Sequence, residues 1–212
     1  MRNLCRKMLI WQEQVRRKHV ETAASGGSRE DRKMGPIYRR SFISAMVFAS
    51  LAVPLRAAGA PGFRFDAIEG GTLDTADWRG RPVLVVNTAS LCGFTPQYDA
   101  LQELQDRYGP RGLVVLAVPS DDFAQELKDD AAVKEFCTLT FDLTLPMTRI
   151  THVKGKGAHP FYRWMADEHG FTPGWNFNKV LLGPDGLPRG TWGAPVTPMS
   201  SAITGAVEAV LP

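Results

Sequence analysis

A chain of 212 residues has room for one compact domain with sequence to spare. Its 25 basic residues against 22 acidic ones leave a net charge of +3, which leans on the N-terminal segment and predicts no nucleic-acid partner. Three cysteines, Cys5, Cys92 and Cys137, with no close pair among them, exclude a disulfide-rich scaffold and a cysteine-rich zinc site. Any cysteine chemistry must come from individual thiols.

Residues 1–33 are basic and polar and end in Gly-Gly-Ser-Arg-Glu-Asp-Arg-Lys. Such a stretch buries little apolar surface, so it is expected to stay disordered and outside the fold. A helix over residues 8–20 would be marginal in isolation. Residues 34–60 read differently. Arg39-Arg40-Ser41-Phe42-Ile43 opens an apolar run to Leu55, followed by Ala57, Ala58, Gly59 and Ala60. Charge, apolar stretch and small residues in that order resemble an export signal of the twin-arginine kind, which implies passage to the bacterial periplasm, with the general secretion route as the alternative. The apolar run is about 14 residues where a membrane span needs about 20, so cleavage between Ala57 and Ala60 is expected and no stable span after it. Met34 is then a candidate initiator, and residues 1–33 an extension or a mis-assigned start.

Residues 61–212 alternate strand and helix patterns, which predicts one α/β domain. Phe63, Phe65 and Ala67 alternate ahead of the Gly70-Gly71 turn and a short second arm. Residues 83–87 (Val-Leu-Val-Val-Asn) form an apolar run too short for a helix, hence a strand buried on both faces. Tyr98, Leu101, Leu104 and Tyr108 recur at helical spacing up to Gly109-Pro110. A second buried strand spans 113–118 and stops at Pro119. Residues 129–137 read as a helix with Asp129 and Asp130 at its positive end, and 160–167 as a helix with proline in its first turn. Residues 177–182 and 187–192 flank Gly183-Pro184-Asp185-Gly186 and predict a hairpin. Thr197 is the expected N-cap of a last helix carrying Ile203, Val207 and Val210 on one face. Strand, helix, strand, helix, hairpin, helix is the order of the thioredoxin-like fold, a central mixed sheet flanked by helices.

Cys92 stands between the strand that ends near Asn87 and the helix that begins near Tyr98, among the turn formers Gly93, Thr95 and Pro96. A thiol at a helix start meets aligned peptide dipoles and free N–H groups, which favour the nucleophilic thiolate. The alternative is a small buried hydrophobe; the loop position weighs against it. His152, His159 and His169 share no metal spacing with a cysteine or carboxylate cluster and read as surface or capping residues. Lys154-Gly155-Lys156-Gly157 lacks the context of a phosphate cradle. Tyr98 and Phe94 either pack near the thiol or fill the core.

Three segments carry a family resemblance. Asn87-Thr88-Ala89-Ser90-Leu91-Cys92-Gly93-Phe94-Thr95-Pro96-Gln97-Tyr98, Val118-Pro119-Ser120-Asp121-Asp122-Phe123-Ala124-Gln125-Glu126 and Trp175-Asn176-Phe177-Asn178-Lys179 resemble the signatures of the glutathione peroxidases, specifically the cysteine-dependent, thioredoxin-using type. The resemblance runs from about Phe63 to Leu211. Leu91 stands where many members have lysine. Glu126-Leu127-Lys128 replaces the usual Glu-Pro-Gly turn, and the stretch around Ala124 is one residue shorter, a change that can alter how Gln125 points.

The resemblance implies a thioredoxin-like peroxidase with a catalytic set of Cys92, Gln125, Trp175 and Asn176, and no cofactor or metal. These residue types suit peroxide reduction, because sulfur attack on an O–O bond leaves an alkoxide or hydroxide, which neutral amide and indole N–H groups stabilise. Trp175 as a core aromatic and Asn176 as a turn residue remain the structural alternatives. The resemblance assigns Cys137 as the resolving cysteine that captures a Cys92 sulfenic acid, against an inert buried thiol. It further implies peroxide as substrate, and a thioredoxin-like protein in preference to glutathione as reductant. The short interval between Ala166 and Trp175 resembles the monomeric members. A peroxide sensor or relay using the same thiols is the second function; a thiol-disulfide exchanger is disfavoured because Thr95 stands where Cys-x-x-Cys needs its second cysteine.

Overall fold

The computed structural model describes residues 59–212. The expectations for residues 1–33, and for all but the last two residues of the 34–60 export segment, lie outside the described residues. Strands β1 (Arg64–Asp66) and β2 (Thr72–Asp74) pair antiparallel with Phe65 opposite Leu73. Gly70 and Gly71 turn the chain between them at φ +92° and +78°, a region that side chains other than glycine rarely adopt. The alternation of Phe63, Phe65 and Ala67 does bury all three.

The main sheet has the order β4-β3-β5-β6. Strand β3 (Val83–Thr88) lies inside it, parallel to β4 (Val114–Pro119) and antiparallel to β5 (Lys179–Leu182), which pairs antiparallel with β6 (Pro188–Trp192). The sheet is therefore mixed. The helices are α1 (Gln97–Tyr108), α2 (Asp130–Phe141), α3 (Pro160–His169) and α4 (Ser201–Glu208).

Side chains of the central strands alternate between two cores. Leu84 and Val86 of β3, with Val115 and Ala117 of β4, pack against Leu101 and Leu104 of α1, Val133 of α2 and Ile203 of α4. Val83 and Val85, with Leu116 and Val118, face Phe161 and Met165 of α3 and the Phe63–Phe65 arm. Both faces of the sheet are covered, which is why its strands read as unbroken apolar runs. Each large side chain taken fully out of water on folding contributes roughly 1.5–3 kcal/mol, so the end of β3 is a firm platform for the loop that follows.

The structure moves three of the expected boundaries. The last helix starts at Ser201, and Ser200, not Thr197, holds the N-cap position. Thr197 instead opens a turn in which its carbonyl accepts the Ser200 N–H at 3.0 Å. Helix α2 runs one turn past Cys137 and stops where Asp142 enters the left-handed region at φ +48°. Phe177 stands outside β5 at φ +60°, in a tight turn that shapes the site.

Candidate active site

Cys92 follows β3 by four residues, in a loop that Thr95 organises. The Thr95 hydroxyl accepts the Cys92 N–H at 3.1 Å and donates to the Cys92 carbonyl at 2.7 Å, with the Ala89 carbonyl at 2.9 Å. This local closure curls the chain so that the Phe94 N–H points at the Cys92 sulfur, 3.4 Å away. Cys92 is 7% exposed and borders the apolar core, so its near neighbours are protein groups. Leu91, beside it, is 61% exposed, so the loop lies at the surface with the thiol turned inward.

Two other segments are tied to this loop. The Leu91 N–H donates to the Gln125 carbonyl at 2.9 Å, and the Gln125 side chain accepts from Asn176 Nδ2 at 3.0 Å. Asn176 is fully buried, and its Oδ1 has no hydrogen-bond partner. Its turn is clamped by Asn87 of β3, whose Nδ2 donates to the Trp175 carbonyl at 3.0 Å and whose Oδ1 accepts the Asn178 N–H at 3.1 Å. Trp175 is 42% exposed and lies on Phe123, ring centroids 5.3 Å apart, so it is not a core aromatic. Despite the shortened stretch before it, Gln125 points at Asn176; Ala124 makes the bend at φ +54°. The structure thus brings Gln125, Asn176 and Trp175 together beside the Cys92 loop.

The profile of the glutathione peroxidase family matches residues 62–166. The chain is 40% identical over 131 residues to the glutathione peroxidase of Lactococcus lactis, covering 58% of this chain and 83% of that protein. It is 36% identical over 139 residues to hydroperoxy fatty acid reductase gpx1 of Synechocystis, covering 59% and 80%. The chain belongs to the glutathione peroxidase family. It is therefore a peroxidase, an oxidoreductase that takes peroxide as its acceptor. The crystal structure of Trgpx in apo form is similar over 72% of this chain and all of that one, with 30% identity and a TM-score of 0.54. A putative thiol:disulfide interchange protein DsbE from Chlorobium tepidum, at 18% identity and a TM-score of 0.54 over 73% and 96% of the two chains, shares the thioredoxin fold.

Within this glutathione peroxidase, Cys92, Gln125 and Cys137 fall inside the matched residues and Trp175 and Asn176 beyond them. Cys137 sits in α2, 2% exposed, and both it and Cys92 are free thiols. Burial pushes the Cys137 thiol up to about 11 although the Tyr98 hydroxyl lies against it and favours the anion. Tyr98 itself is fully buried, wedged against Phe141 and Phe177.

Two residues to which the sequence assigns no role, Glu126 and Lys179, shape the site. Glu126, 8% exposed, accepts the Ser90 N–H at 3.0 Å and the Leu127 N–H at 2.8 Å through one oxygen, and burial raises its carboxyl above the usual range. Lys179 is fully buried, donating to Gln97 Oε1 at 2.6 Å and to the Phe177 carbonyl at 2.8 Å, and burial pulls it down to about 8. The one available signal was a charged residue inside a signature segment, which does not distinguish a surface side chain from a buried one. The histidines are as expected: His159 caps α3, accepting the Phe161 N–H at 3.2 Å, and His152 pairs with Asp122 at 2.7 Å.

Proposed function

We propose that Cys92 is the nucleophile that reduces hydrogen peroxide or an organic hydroperoxide, and that Cys137 resolves the product. The Cys92 thiolate attacks one peroxide oxygen; the S–O bond forms as the O–O bond breaks, leaving a sulfenic acid and, once protonated, water or an alcohol. The Phe94 N–H stabilises the anion on sulfur. Because Asn176 occupies the Gln125 Oε1, the Gln125 Nε2 remains as donor. With the Trp175 indole N–H and the Asn176 amide it supplies neutral hydrogen-bond donors for charge developing on the departing oxygen.

Cys137 then attacks the sulfenic sulfur, a Cys92–Cys137 disulfide forms and water leaves. A thioredoxin-like dithiol protein returns the pair to thiols, with glutathione as the second candidate. We place this chemistry in a monomer exported to the bacterial periplasm through residues 34–60. The observation that carries the proposal is the backbone N–H aimed at a thiol in the loop after β3, a loop hydrogen-bonded to Gln125.

One equivalent of peroxide added to reduced protein, followed by stopped-flow fluorescence and intact mass, tests it. Cys92→Ser is expected to abolish oxidation, and Cys137→Ser to halt at a sulfenic acid that dimedone traps. Unchanged peroxide reduction by Cys92→Ser would refute the assignment.

A further inference from the structure

One buried charge has no part in the peroxide step as written above. Lys179 opens β5, is fully buried, and has no carboxylate paired with it among the described residues. Its ammonium donates to Gln97 Oε1 at 2.6 Å and to the Phe177 carbonyl at 2.8 Å, both neutral acceptors. Taking a charge out of water without an ionic partner is costly. A methionine of similar length would fill the space without that penalty, so packing alone gives no reason for an ammonium here.

The two acceptors belong to the two halves of the site. Gln97 is the first residue of α1, and its backbone N–H donates at 2.9 Å to the carbonyl of Phe94, the residue whose own N–H points at the Cys92 sulfur. The Gln97 amide is fixed at its other atom too, since Nε2 donates to the Ala194 carbonyl at 2.7 Å. Phe177 directly follows Asn176 and bends the chain at φ +60° without being glycine. A residue in that region stays there where its surroundings hold it. The Asn87 carbonyl holds its N–H at 2.5 Å, and Lys179 holds its carbonyl. One ammonium therefore spans from the helix that follows the Cys92 loop to the bend that carries Asn176.

We propose that Lys179 is a positioning residue for peroxide reduction: its two hydrogen bonds tie the start of α1 to the 175–178 turn and so set where the Asn176 amide stands relative to the Cys92 sulfur. The inference rests on Asn176 serving as a donor to the departing oxygen. Lys179 acts through Gln97 and Phe177, not on the peroxide. A donor stabilises developing charge best when it already stands where the charge will appear, and a turn free to shift must first be brought into place. Hydrogen bonds from a charged donor are about twice as strong as those between neutral groups, which suits an ammonium to holding a strained bend.

Two reagents separate this role from a general one. Hydrogen peroxide needs both the Cys92 thiolate and the donors that receive the departing oxygen. Iodoacetamide alkylates the same thiolate, and its departing iodide needs no positioned donor. Lys179→Met is expected to lower the second-order rate constant for peroxide by about tenfold or more while alkylation stays within about twofold. An ammonium that acted through its field on the thiolate, or a fold loosened throughout the site, predicts that both reagents change together.

The measurement uses the whole reduced protein at about pH 7, below the value of about 8 to which burial pulls Lys179, so the wild type carries the charge. Peroxide is followed by stopped-flow tryptophan fluorescence and alkylation by intact mass. An unchanged peroxide rate in Lys179→Met, or equal slowing with both reagents, overturns the inference. Asn176→Ala is measured beside it. If that variant reduces peroxide as fast as the wild type, Asn176 is not a donor and the inference falls with that reading; if it is slow while Lys179→Met is unchanged, the inference alone falls. Should Lys179→Met not fold, Gln97→Met cuts the same bridge at its other end and is expected to slow peroxide selectively; an unchanged rate there overturns the proposal.

Discussion

Replacing Lys179 by methionine should change how stability depends on pH. The ammonium is fully buried, its hydrogen bonds go to neutral oxygens, and burial alone pulls it from 10.5 down to about 8. Between those values the unfolded chain holds a proton that the folded chain has lost, so wild-type stability rises with pH by about 1.4 kcal/mol per pH unit. Integrated over the whole window, this is about 3 kcal/mol. Cys137, pushed up from 9.0 to about 11, acts in the other direction above pH 9, because there the folded state keeps the proton. Comparison of the two proteins at each pH cancels that contribution. Urea unfolding followed by tryptophan fluorescence at about pH 7.5, 8.5, 9.5 and 10.5 is the assay. The wild-type advantage over Lys179→Met should climb by about 3 kcal/mol across the series. A difference that stays flat would refute the account of Lys179 as a buried, charge-penalised amine.

Three further outcomes follow from the site. Thr95→Val leaves the buried Cys92 N–H without its acceptor and should cost about 1–3 kcal/mol by urea denaturation while slowing the first oxidation of Cys92 in stopped flow. Asn87→Ala removes both bonds that clamp the 175–178 turn; an unfolding free energy lower by about 2 kcal/mol and reduced peroxidase kcat/KM are expected. Ala124→Gly relieves a left-handed backbone at φ +54° and should stabilise by about 1 kcal/mol, read as a higher urea midpoint; its activity then reports whether the bend aims Gln125.

The sheet was legible wherever burial is symmetric. Residues 83–87 and 113–118 read as strands because helices cover both faces, and a strand with no wet side loses its alternation and becomes a plain apolar run. The turn bearing Cys92 was legible because turn residues mark it. Boundaries failed where backbone geometry departs from residue type: α2 ends on Asp142 and the site turn bends at Phe177, two left-handed residues without the glycine that normally signals such a point. Glu126 and Lys179 stayed hidden for another reason. Each is polar at a place made interior only by contacts between segments distant in the chain, and no local pattern encodes that. The shortened loop raised doubt over where Gln125 points; its hydrogen bond to Asn176, 51 residues on, answers it.

Strand β3 ends in Asn87, which clamps the Trp175 turn, and the fully buried Thr88, and then runs into the Cys92 loop. Like β5, it has partners on both sides, at every residue from Val83 to Val86. Its amide protons should therefore exchange with solvent only when the whole domain opens. The anchoring half of the site is thus fastened to the last part of the molecule to come apart, and any motion that joins the two sulfurs falls to the other half, on the rim formed by residues 120–142.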